Sequence, residues 1–103
     1  MPESGKYAKV PRPESVDTFI RYLEGNPRVV EVERPGEQVI IVRRETIGSI
    51  KVYMTNIYCV SEADVYEITS TEAGLAAIVT MSAWNGYTKT AKALCRGMNI
   101  GLF

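Results

Sequence analysis

The stretch AAIVTMSAWNGYTKTAKALCRGMNIGLF, residues 76–103, decides how this chain folds. Its first six residues are an apolar run of strand length, and Asn85-Gly86 is a turn dipeptide. From Thr88 onward the spacing changes to a helical one over residues 88–96. Ala91, Leu94 and Cys95 fall on one side and Lys89, Lys92 and Arg96 on the other. Residues 99–103 then close as a short strand. A strand, a helix and a strand in this order demand parallel pairing through a right-handed crossover.

The same unit is read once more immediately upstream. Ser61 followed three residues later by Asp64 forms a capping-box pattern, and a helix over residues 61–69 places Val65 and Ile68 against a core. Before it lie three strand patterns. Residues 28–34 alternate, with Val30 and Val32 on one face and Glu31 and Glu33 on the other. Residues 38–45 contain the run Val39, Ile40, Ile41, Val42, which suits a strand buried on both faces. Residues 49–58 alternate Ile50, Val52 and Met54 with Lys51, Tyr53 and Thr55. Pro35-Gly36 and Ile47-Gly48 supply short connections, so these three strands form an antiparallel meander. At the start, Val16, Phe19, Ile20 and Leu23 recur at helical spacing, with Ser15 as N-cap and Gly25 as stop, which predicts a helix over residues 15–24. The order α-β-β-β-α-β-α-β predicts an α/β domain over residues 14–103. Its mixed five-stranded sheet has helices on both faces as three α/β/α layers. Residues 1–13 carry three prolines without periodicity and read as an N-terminal arm.

Composition narrows the chemistry before any site is chosen. The 103 residues hold 12 Lys+Arg, 12 Asp+Glu and no histidine. Without imidazole there is no Ser-His or Cys-His couple, so any catalysis must use carboxylate, lysine, tyrosine or cysteine. Zero net charge gives no overall attraction to nucleic acid or anionic membrane. It is nevertheless the sum of two unlike helices. Glu62, Asp64, Glu67 and Glu72 crowd the second, whereas Lys89, Lys92 and Arg96 mark the third. This asymmetry fits self-complementary contacts in a homodimer or two separate solvated faces. Cys59 and Cys95 show neither C-x-x-C nor metal-ligand spacing, and read as reduced, buried thiols of a cytoplasmic protein. No apolar run approaches the ~20 residues of a membrane span, so no membrane partner is expected.

The helix, three-strand meander, helix and further strand resemble the core order of the PD-(D/E)XK superfamily, the restriction-endonuclease-like fold. Residues 76–103 look like the end of an Mrr-type nuclease domain. VIIVRR (39–44) resembles that family's second strand and IKVYMT (50–55) its third. The resemblance runs from Ser15 to the C-terminus.

Members of that family that cut DNA place an Asp on the second strand and a Glu-x-Lys on the third. The two carboxylates hold a divalent metal, and the lysine positions or activates water. Aligned by apolar pattern, those three positions fall here on Val39, Tyr53 and Thr55, none of which can do that work. The resemblance therefore implies a catalytically degenerate nuclease-like module, associated with nucleic acid or serving in oligomerisation, expected as a homodimer and with no cofactor. The alternative is a divergent magnesium-dependent nuclease using Glu37, Lys51 and Asp64, with Glu62 as another acid. Against it, Glu37 follows a Pro-Gly turn, Lys51 reads as a surface lysine, and Asp64 is explained by the cap and helix dipole.

The remaining constellation is SAWNGYTKTAK, residues 82–92. It sets Trp84, Asn85, Tyr87 and Thr88 at the carboxyl end of a central strand and at a helix N-terminus carrying Lys89 and Lys92, with Arg96 one turn further on. Strand carboxyl ends are where open α/β sheets bind ligands, and aromatic rings beside cations suit bases and phosphates. The same residues equally fit a loop anchored to the core or a homodimer interface. Lys89 lacks the paired glycines and Ser/Thr of a phosphate loop, which excludes nucleotide hydrolysis of that type. Arg43 and Arg44 are adjacent on one strand, point to opposite faces and make no joint patch.

Overall fold

Two successive strand-helix-strand crossovers organise the molecule, and they determine which sheet face each side chain meets. A computed structural model describes residues 10–57, 59–81 and 86–103. The elements are α1 (Pro13–Glu24), β1 (Val29–Glu33), β2 (Val39–Arg44), β3 (Gly48–Thr55), α2 (Glu62–Thr71), β4 (Leu75–Thr80), α3 (Lys89–Gly97) and β5 (Gly101–Leu102). The five strands lie side by side in chain order. Pairing is antiparallel from β1 to β3 and parallel from β3 to β5. Crossovers of one hand stepping the same way place both connecting helices on one face. Val65 and Ile68 of α2 and Ala91 and Cys95 of α3 accordingly share a core with Leu75, Ile78 and Leu102. On the opposite face α1 packs Val16, Phe19 and Ile20 over Ile40, Val42, Val52 and Met54. The fold is thus α/β, a mixed five-stranded sheet flanked by three helices in three layers. Among the described residues, no helix is long and apolar enough to cross a membrane.

Local chemistry sets the element ends. Helix α1 starts two residues before the expected cap, with Arg12 in the N-cap position and Pro13 at its head. Proline's fixed φ favours the first helical turn, where its missing N–H is not needed. The Arg12 carbonyl accepts from the backbone N–H groups of Ser15 and Val16, so Ser15 lies inside the helix. Helix α2 has the predicted capping box, since Ser61 accepts from the Asp64 N–H while Asp64 accepts from the Ser61 N–H. Strand β3 stops at Thr55, three residues short of the predicted end.

In β1 the alternation read from sequence fails. The ladder pairs Val29 with Arg44 but Glu31 with Arg43, so a bulge at Val30 shifts the register. Val29 and Val32 therefore face the α1 core, and Val30 is left 57% exposed.

The cysteines also divide. Cys95 is buried, as predicted, but Cys59 is exposed. Burial pushes the Cys95 thiol above its ordinary pKa, partly opposed by the nearby Lys92 ammonium. In the native protein one thiol, Cys59, should react promptly with an aromatic disulfide reagent, and Cys95 only on unfolding. Two prompt thiols in native buffer would contradict this burial.

Candidate functional site

The carboxyl ends of the parallel strands carry the first candidate. Val39 and Tyr53 are direct cross-strand partners. Tyr53 and Thr55 alternate with Val52 and Met54, which face α1, so Val39, Tyr53 and Thr55 all look toward α2 and α3. This floor is apolar and hydroxylic. Val39 is buried, Tyr53 is half-buried and packs against the α2/α3 core, and Thr55 is fully buried beside its parallel partner Thr80. Thr55 Oγ1 accepts from the Ile57 N–H at 3.3 Å, and Thr80 Oγ1 donates to the Ile57 carbonyl at 2.8 Å. Both hydroxyls thus hold the chain as it leaves β3.

The alternative acid set is not brought together. Lys51 stands opposite Ile41 in the middle of the β2 ladder, whereas Glu37 lies outside the strand, in the bend that leads into β2. The Lys51 ammonium contacts Glu72 at 2.8 Å and the Ala73 carbonyl at 3.1 Å, at the C-terminal end of α2. A cation belongs there because helix C-termini present unpaired carbonyls. Lys51 is therefore a partly buried surface lysine whose ammonium caps the end of α2. Asp64 sits eight residues earlier, about 12 Å along the helix, with its carboxylate engaged by Ser61. Glu62 and Glu37 are exposed. Among the described residues, no three Cys, Asp or Glu side chains converge in a way that could hold a metal ion.

The second candidate is built by α3 and the strand that follows it. After β3 and β4 the chain pairs once more, through a parallel bridge between Val60 and Tyr87. The Val60 N–H donates to the Gly86 carbonyl and the Thr88 N–H to the Val60 carbonyl. This fixes the Tyr87 backbone while leaving its ring at the surface. Thr88 then caps α3, its hydroxyl accepting from the Ala91 N–H at 3.0 Å. Lys89, Lys92 and Arg96, at i, i+3 and i+7, form one row along α3. Lys89 and Arg96 are exposed.

Lys92 is the middle member of this row. It is half-buried and donates to the Leu102 carbonyl at 2.8 Å, on the open side of the edge strand β5. Its ammonium also lies 5.0 Å from the Tyr87 ring centroid and 5.6 Å from that of Phe103. Tyr87 and Phe103 are 41% and 64% exposed as residues. Phe103 occupies this position because residue 101 is glycine, since a Cβ there would meet the Phe103 ring at 2.6 Å. The result is two exposed aromatic rings joined through one ammonium and flanked by two further cations.

Sequence reasoning named Tyr87, Thr88, Lys89, Lys92 and Arg96, and the fold gathers them. Trp84 and Asn85 lie outside the described residues. Phe103 was not singled out, because nothing in a lone terminal aromatic shows that β5 returns it to the start of α3. The acidic helix α2 and basic helix α3 share one apolar core within the chain, while the ion pairs Arg43–Glu31 and Lys51–Glu72 do not join the two helices. Arg43 is spent on a cross-strand ion pair with Glu31 at 3.0 Å, and Arg44 donates to the Gly48 carbonyl. Neither arginine joins the row on α3. Comparison with protein-family models, with curated proteins and with solved structures gives no match for this chain.

Proposed function

We propose that this chain is a nucleic-acid-associated module of restriction-endonuclease-like design that binds without cutting. The observation that carries the reading is the α3 face, where Tyr87 and Phe103 flank Lys92, with Lys89 and Arg96 beside them. Exposed rings offer stacking surfaces for bases, and the cations offer partners for phosphates. A binding role rather than hydrolysis is supported by the floor at the strand ends, since Val39, Tyr53 and Thr55 occupy one sheet face without a carboxylate among them. Phosphodiester hydrolysis of the family's kind needs paired oxygen ligands for a hard cation at that place.

The test is an incubation of supercoiled plasmid and labelled oligonucleotides with the protein and magnesium or manganese. The substrates should remain intact at protein concentrations that bind them. Metal-dependent cleavage that is lost in Asp64→Ala would overturn the reading in favour of a nuclease with relocated acids.

A further inference from the structure

Two surface grooves meet at the row of cations on α3. One, of about 270 Å³, runs from Tyr87 past Lys89 and is walled by Lys92 and Arg96. The other, of about 490 Å³, shares Lys92 and Arg96 and continues past Asn99 to Gly101 at the sheet edge. Together they make one track with the Tyr87 ring at one end and the Asn99 amide toward the other, and the Phe103 ring stands beside it across Lys92. A third groove adjoins through Ala76 and Asn99. Among the described residues that line it the cation is Lys51, which is already paired with Glu72, so attraction for an anionic chain ends near Asn99. From Lys89 to Arg96 the row spans about 10 Å, the scale of a few nucleotides rather than of a long duplex contact.

Resting on the nucleic-acid reading above, we infer that the ligand of this track is an extended single strand, with a base stacked at the Tyr87 and Phe103 rings and its phosphates carried past Lys89, Lys92 and Arg96. In a duplex the base faces are covered by their neighbours, so the rings would contribute little, and three cations alone give weak backbone attraction. An acidic peptide could satisfy the cations but would leave the rings unused.

Fluorescence anisotropy with a labelled eight-nucleotide thymidine strand, a labelled hairpin duplex and a poly-glutamate competitor separates these ligands. The single strand should bind at low salt at least tenfold tighter than the hairpin. Its affinity should fall with salt at a log-log slope of about −2 for three neutralised phosphates. Poly-glutamate at matched charge should not displace it. The variant Lys89→Ala/Arg96→Ala, altered at two exposed positions, should keep the native circular dichroism spectrum, lose at least tenfold in affinity and show a slope shallower than −1. Equal binding of hairpin and strand, or an unchanged double variant, would overturn the single-strand track while leaving nucleic-acid association standing. Absence of binding to either nucleic acid, or full displacement by poly-glutamate, would overturn the functional reading as well.

Discussion

Replacing Ile78 by alanine should cost this domain a large part of its stability. Ile78 is fully buried in β4, beneath both α2 and α3. Truncating such a side chain removes its transfer free energy and leaves a cavity that the surrounding elements fill only in part, a loss of about 2–5 kcal/mol. Domains of this size have about 5–15 kcal/mol in total. With roughly 4–8 °C of Tm per kcal/mol at this length, melting followed by circular dichroism should show a drop of about 10 °C or more. Ile47→Ala, at an exposed turn position, should change Tm little and serves as the control. A small shift for Ile78→Ala would mean that the α2/α3 layer is not packed on β4 as described.

Tyr87→Ala should have the opposite profile, with binding lost and stability kept. The ring is substantially exposed, and the Val60 bridge that holds this segment uses backbone atoms that alanine retains. Removing one stacking platform costs about 1–3 kcal/mol per base, which is roughly a 5- to 150-fold loss of single-strand affinity. Anisotropy should show that loss while the melting curve stays close to wild type. A Tyr87→Phe variant, which keeps the ring, should bind nearly as the parent does. Equal affinity of Tyr87→Ala and the parent would remove the ring from the site.

The contrast between these substitutions reflects what the sequence shows and what it hides. Each element is located by a local pattern of the chain, an apolar run as in Val39 to Val42 or helical spacing as in Val65 with Ile68, although in β1 the alternation gives the wrong face to Val30. The parallel half of the sheet followed from connection rules rather than propensity. The bulge at Val30 was not legible, since it depends on how β1 pairs with β2. The same holds for Lys51 and Lys92, whose charges suggest solvent until the fold brings a helix end or a strand carbonyl to each. Alternation puts Tyr53 and Thr55 on one face of their strand, but that Val39 shares this face is visible only in the ladder, which sets it opposite Tyr53. The aromatic half of the proposed binding face is only half visible in the sequence, because Phe103 joins Tyr87 through tertiary structure.

The most direct test of the binding face is a ¹H–¹⁵N correlation spectrum recorded as the thymidine strand is added. Saturable shifts are expected at Tyr87, Thr88, Lys89, Lys92, Arg96 and Asn99, with matching changes at Leu102 and Phe103, while α1 and β1 remain unmoved. Shifts centred on α1 or spread evenly over the surface, or no shifts at all at saturating oligonucleotide, would contradict it.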